Sequence, residues 1–212
     1  MKTPGISLIR AALCLLALLV TCAMAPGEEE KPKRATLDQP APDFTLKDTK
    51  DQPRSLSAYK DRILVVEWVN PECPYVKRHY RQGSMQETYR RVKSLDKSIV
   101  WLAIDSTHSA NAGQIQFWIE RHRVPYPVLL DPDGAVGRLY DSRSTPHMFV
   151  IDTKGVLRYH GAIDDNALGT KKQEDVNNYV VNAVRQLVNE ETVSPSYVKP
   201  YGCSVKFKPP AP

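Results

Sequence analysis

Cysteine is the side chain in this sequence whose surroundings point most directly to covalent chemistry. Cys73 lies in Asn70-Pro71-Glu72-Cys73-Pro74, directly after the apolar run Ile63 to Trp68. Pro74 suits the first position of a helix, where a missing N–H costs nothing. Cys73 is therefore expected at the N-cap, with its sulfur toward the unpaired N–H groups and partial positive charge of a helix start. Those groups favour the thiolate, which is the nucleophilic form. Lys77 and Arg78 follow within a turn and add positive charge, whereas Glu72 and Asp105 oppose it. Asn70 and Thr145 are expected at strand ends facing Cys73. Thr145-Pro146 leads into a further apolar stretch, Met148 to Asp152, a placement that suggests a cis peptide bond near the thiol. His147 is a candidate base or hydrogen-bond partner, with a satisfied, partly exposed histidine as the plainer alternative. His79, His108 and His122 lack ligand spacing with either Cys73 or Cys203, so neither a metal nor a cofactor is expected.

The remaining cysteines are sorted by the leader. Lys2 and Arg10 precede the apolar stretch Ala11 to Ala25, which ends in the small-residue sequence Thr21-Cys22-Ala23-Met24-Ala25. That is the pattern of a signal peptide. At ~1.5 Å per residue this stretch reaches about 22 Å, short of a hydrocarbon core of roughly 30 Å. Export to the periplasm or the exterior is expected rather than a spanning anchor. Leu19-Val20-Thr21-Cys22 resembles a degraded lipobox, which leaves lipidation at Cys22 as the alternative route to a membrane. Removal of the leader takes Cys14 and Cys22 with it and leaves Cys73 and Cys203. An exported protein tolerates a disulfide, and an oxidised thiolate ends in one only when a second thiol reaches it. Cys203 is the candidate resolving thiol; the alternative is a tail turn in which Gly202-Cys203 packs a small apolar side chain.

These residues need a scaffold. The reading divides the chain into a signal peptide at 1–25, a charged, Pro-containing linker at 26–39, a domain at 40–190 and a C-terminal tail at 191–212. Pro40 to Leu46 reads as an edge strand and Asp48 to Pro53 as a turn. Val76 and Tyr80 lie nearly opposite Met85, Tyr89 and Val92, so two helices are expected, near 74–82 and 85–93, with Ser84 and Glu87 at capping-box spacing. Further strands are expected at Ser98 to Asp105, Val128 to Leu130 and Met148 to Asp152, the last paired antiparallel with Val156 to Tyr159. Helices are expected around Ile115, Trp118, Ile119 and His122, at Ala135 to Tyr140, and at Glu174 to Val188; Trp101 and Trp118 fill the core. Such β-α alternation ending in a hairpin and a helix makes an α/β domain with a mixed sheet. The chain has 212 residues, 42% of them hydrophobic, and a formal charge of +5. Without the leader this becomes 27 bases against 24 acids, or +3, interleaved along the chain. No nucleic-acid partner is expected from so mild and dispersed a charge.

Pro42-Asp43-Phe44-Thr45-Leu46, the strand ending in Trp68, Cys73-Pro74-Tyr75-Val76, Thr145-Pro146 and Phe149-Val150-Ile151-Asp152 together resemble the thioredoxin-fold redoxins of the alkyl-hydroperoxide-reductase/thiol-specific-antioxidant superfamily. More narrowly, the chain resembles a peroxiredoxin-like subfamily with a Cys-Pro-Tyr site and a tail here written Gly202-Cys203-Ser204-Val205-Lys206. The resemblance covers about Pro40 to Phe207. It implies a thioredoxin-like mixed sheet flanked by helices, Cys73 as nucleophile and Pro146 as a cis-proline packed beside it, with Thr145 and Pro146 shaping the substrate groove. It also implies a peroxide or protein disulfide as substrate and a thiol protein as reductant, in an antioxidant or redox role. Three positions depart from the pattern. Val76 stands where thioredoxins carry a second cysteine, Asn70 where peroxiredoxins place a threonine, and Pro146 where spacing to Phe149 would put their arginine. Two other readings accompany the enzyme: a non-catalytic module that holds an extended partner chain in the groove beside Pro146, and a trap that retains partners as mixed disulfides because position 76 offers no thiol to release them.

Overall fold

A run that is apolar on both faces belongs in the middle of a covered sheet, and Leu64–Trp68 (β3) is buried at every position. It pairs in parallel with Val100–Asp105 (β4) and antiparallel with His147–Ile151 (β7). The computed structural model describes residues 34–209, which all belong to one compact unit. The other strands of the main sheet are Thr45–Asp48 (β1), Pro53–Ser55 (β2), Val128–Leu130 (β5), Leu157–Gly161 (β8) and Tyr197–Val198 (β9). Across the sheet the order is β2-β1-β5-β4-β3-β7-β8-β9, a mixed eight-stranded arrangement. A separate two-stranded ladder joins Ser144–Thr145 (β6) to Cys203–Ser204 (β10).

Alternation along the strands separates two cores. Val65, Val69, Ala103, Met148 and Val150 face one layer, where they meet Val76 and Tyr80 of Pro74–Gln82 (α1), Met85 and Val92 of Ser84–Leu95 (α2), Ile115 and Trp118 of Ala112–His122 (α3), and Val180 and Val184 of Tyr179–Val188 (α5). Leu64, Val66, Trp68, Ile104 and Phe149 face the other, against Phe44, Tyr140 and the short helix Ala135–Leu139 (α4). Trp101 and Trp118 are buried in the first layer.

Four expectations are corrected. The first strand starts at Thr45, not Pro40, and lies inside the sheet because β2 covers its edge; Pro40 and Pro42 have no N–H for a ladder. The capping box at Ser84 and Glu87 does not form. Gly83, at φ 75, closes α1 by donating its N–H to the His79 carbonyl, and the Ser84 hydroxyl turns back to His79 Nδ1 at 2.7 Å. The last helix begins at Tyr179 rather than near Glu174, because Asn178 caps it through the Val181 N–H at 2.9 Å. At the end of the expected linker the chain already meets the domain: Ala35 and Leu37 pack on the second core layer, the Ala35 N–H donates to Leu139 O at 2.9 Å, and Asp38 both donates its N–H to Leu157 O and pairs with Arg158. The leader, Cys22 and residues 26–33 lie outside the described residues.

Candidate active site at the Cys73 helix start

The turn after β3 is built by Asn70. Its side-chain oxygen accepts the Glu72 N–H at 2.7 Å and its carbonyl accepts the Cys73 N–H at 3.0 Å. Asn70 thus shapes the approach to Cys73. Cys73 then adopts the extended N-cap conformation (φ −68, ψ 125), Pro74 takes the first helical position, and the Cys73 carbonyl receives the Lys77 N–H at 2.9 Å. Lys77 spends its charge on Glu72 in a solvent-exposed pair at 2.7 Å. Arg78 turns away from the thiol to the carbonyl of Ala167.

The thiol is buried, 2% exposed, and donates to the Thr145 carbonyl at 3.0 Å. The Thr145–Pro146 bond is cis. Over it passes the tail: Cys203 pairs with Thr145 and Ser204 with Ser144. Gly202 makes that crossing possible. Its φ is +137, and a Cβ there would lie 2.1 Å from the Thr145 carbonyl oxygen, closer than any side chain permits.

The two thiols consequently meet. Burial opposes ionisation of Cys73, but the donors grouped around the sulfur, the Cys203 thiol, the Thr145 side chain and the Val76 and Cys203 N–H groups, favour the thiolate more and hold the pKa below the ordinary thiol value. The Thr145 hydroxyl is buried without another partner and is free to serve a thiolate. Cys203 moves the opposite way, up to about 11, through burial and then through its donation to Cys73 and the negative charge there; Lys206 opposes the shift. The arrangement is an acidic thiol inside and a less acidic, half-buried thiol outside, brought together at Thr145.

His147 is not brought to this site. It belongs to the face of β7 that carries Phe149, whereas Met148 and Val150 share a core layer with Cys73. Its ring lies 4.4 Å from the Phe149 ring and its Nε2 faces His160 Nδ1 at 3.3 Å. It is buried rather than partly exposed, and burial depresses its pKa to about 3. Asp105 is also buried, which raises its carboxyl to about 6; it accepts the Thr107 N–H at 2.8 Å and lines a cleft of about 1050 Å³ beside the Asn70–Glu72 turn.

Two residues escaped the sequence reading. Tyr201, two positions before Cys203, donates its hydroxyl to Asp164 and meets His79 Nε2 at 3.0 Å; no local pattern marks it. Glu67 is wholly buried in β3 and accepts from Tyr80 and Tyr126, each at 2.9 Å, and from Trp101 at 3.3 Å. Burial pushes its pKa up to about 7. A lone acid in the run Ile63 to Trp68 was its visible signal.

The AhpC/TSA family profile matches residues 37–160. Among solved structures, a hypothetical protein from Sinorhizobium meliloti 1021 is 24% identical with a TM-score of 0.70, covering 84% of this chain and 97% of that one. An uncharacterized conserved protein from Geobacillus kaustophilus is 22% identical with a TM-score of 0.70, covering 85% and 96%. A candidate protein disulfide isomerase from Bacteroides thetaiotaomicron is 15% identical with a TM-score of 0.57, covering 74% and 93%. These likenesses are of fold. No curated protein sequence matches the chain.

Proposed function

The chain belongs to the AhpC/TSA family and is a thiol oxidoreductase, and from that premise we propose that its working unit is a Cys73–Cys203 dithiol/disulfide couple that reduces a disulfide in a partner protein. The Cys73 thiolate attacks one sulfur of the partner's disulfide, forming a mixed disulfide and expelling the other sulfur as a thiolate. Cys203 loses its proton and attacks the Cys73 sulfur, which expels the partner's second sulfur as a thiolate. Protonation leaves the partner with two thiols and this chain with the Cys73–Cys203 disulfide, which a thiol protein then reduces.

The observation that carries this reading is that both cysteines meet at Thr145: the Cys73 thiol donates to its carbonyl at 3.0 Å, and Cys203 lies opposite it in the β6–β10 ladder. Cys203 fills the role that a cysteine at position 76 would otherwise play, so a mixed disulfide is not retained. Exchange is favoured over peroxide reduction by what surrounds the sulfur: Thr145, Val76 N–H and Cys203. Arg78 and Arg143 are engaged elsewhere, with Ala167 and Asp141. The groove beside Pro146, which a binding module would offer to a partner chain, holds this chain's own Cys203 and Ser204. The apolar leader supports action outside the cytoplasm, where disulfides persist.

Intact mass with thiol alkylation and peptide mapping tests the couple. The reduced chain from Pro26 onward is treated with an oxidised protein substrate or with stoichiometric hydrogen peroxide. Rapid loss of two hydrogens with a Cys73–Cys203 linked peptide is expected from the protein disulfide. Faster formation of the same link by peroxide would make the reaction a peroxidase, in which a Cys73 sulfenate loses water to Cys203. Two thiols that stay free, or mixed disulfides that accumulate, would overturn the couple.

A further inference from the structure

Cys73 is closed off by its own chain. Cys73 is 2% exposed with the tail in place, so a disulfide carried by a protein meets it only after the tail has moved. The tail is fastened on both sides of Cys203, by unequal means.

Upstream the hold is part of the core. The Tyr201 hydroxyl donates to Asp164, itself 4% exposed, and its ring lies against Tyr75 and His79 with the Arg78 guanidinium 6.0 Å from its centre. Just before it, β9 extends the main sheet, and the Ala162 N–H donates to the Val198 carbonyl at 3.1 Å.

Downstream the hold is thinner. The Val205 N–H donates to Arg143 O at 3.3 Å and the His108 N–H donates to Lys206 O at 2.9 Å. Beyond these, the Phe207 ring lies on Gly134 and Gly137, where a Cβ added at either position would come within 2.5 Å of a ring carbon. The Arg138 guanidinium covers the ring at 4.8 Å and also donates to the Lys208 carbonyl at 3.0 Å. Ser204, Lys206 and Lys208 are exposed along this stretch. Two missing side chains thus form a seat for one aromatic ring.

Building on the reading of Cys73 and Cys203 as the reacting couple, we propose that Phe207 is a positioning residue, a latch whose seating on Gly134 and Gly137 keeps Cys203 against Cys73 and whose release opens Cys73 to a protein disulfide. Phe207 touches no reacting atom. The Tyr201 end stays anchored and residues 203–208 move about it. The open state serves the attack of Cys73 on the partner, and the closed state serves the attack of Cys203 on the mixed disulfide. A small oxidant needs only the closed state.

The test is the accessibility of Cys73 in a Cys203→Ser background of the chain from Pro26 onward, where Cys73 is the single thiol. The quantity read is the ratio of its rates with a bulky polyethylene-glycol maleimide and with N-ethylmaleimide. Phe207→Ala is expected to raise that ratio about tenfold, as loss of a local closing contact does. Phe207→Leu should restore most of the parent value. Arg138→Ala, an exposed change that removes the cation over the ring and the bond to Lys208, should raise the ratio a few-fold. A ratio unmoved in both Phe207→Ala and Arg138→Ala overturns the latch. The couple is read separately, by oxidising the chain with Cys203 intact. If no Cys73–Cys203 disulfide forms while Phe207→Ala still opens Cys73, the latch stands and the couple fails; a disulfide with an unmoved ratio gives the reverse.

Discussion

Cys73 and Cys203 are the same residue type in the same site, and their environments drive them apart. Cys73 is buried yet more acidic than an ordinary thiol, because a helix start and three further donors surround it. Cys203 is half-buried, closer to solvent, and pushed up to about 11. Acidity and access are therefore separated: the more acidic sulfur is inside, and the sulfur that solvent reaches is the less ionised one. Burial accounts first for the rise of Cys203, and beyond it the two thiols act on each other, so what favours one thiolate disfavours the other.

Replacing either member, or the atoms that bring them together, breaks this contrast. Cys73→Ser should reduce disulfide turnover by at least about a thousandfold, as loss of a covalent nucleophile does; turnover assayed with dithiothreitol as reductant checks it, and activity sustained by Cys203 alone would reverse the assignment. Gly202→Ala should come next. Its Cβ has no room beside the Thr145 carbonyl, so the tail must lift at a cost of roughly 2–4 kcal/mol. The pH midpoint of Cys73 alkylation, below the ordinary thiol value in the native chain, should then rise.

Glu67 sharpens the comparison by separating burial from thiol chemistry. Its carboxyl is raised from 4.5 to about 7, so between those values the folded chain holds a proton that the unfolded chain has released. Its protonation therefore stabilises the fold below about pH 4.5, and that contribution, on the order of 3 kcal/mol, is lost as pH rises toward 7. Glu67→Gln should flatten this decline in denaturant midpoints while leaving Cys73 alkylation unchanged. The smallest effect is expected from Thr145→Val, which removes a buried hydroxyl beside the sulfur that has no other partner. The Cys73 midpoint should move up by about half a unit to one unit, the scale of one hydrogen bond to a thiolate.

The half of the site around Cys73 was legible because its causes are local. A β-branched apolar run, a turn residue and a proline at the first helical position act over a few bonds, and they placed Cys73 at an N-cap as the structure has it. The pair of helices divided at Gly83 and the mixed sheet were legible for the same reason. His147 was misplaced because sequence position beside Pro146 says nothing about which face of β7 the helix α1 covers. Glu67 carried a signal, an acid within an apolar run, but its partners Tyr80, Tyr126 and Trp101 come from α1, the stretch before β5 and β4.

The family match ends at residue 160, and the tail beyond it was the least legible part. Gly202 and Cys203 stand out as a motif, yet the need for that glycine arises from a carbonyl 57 residues earlier, at Thr145. By itself the sequence determined the central strands β3, β4, β5, β7 and β8, the start of α1 and the residues immediately around Cys73, since these follow from propensity, periodicity and capping. Only the tertiary structure decided that Cys203 meets Cys73 at Thr145, that Tyr201 fastens the tail to Asp164, and that Phe207 seats on Gly134 and Gly137. Those outcomes depend on contacts between distant segments, whose distances are set by packing of the whole chain and not by any local preference.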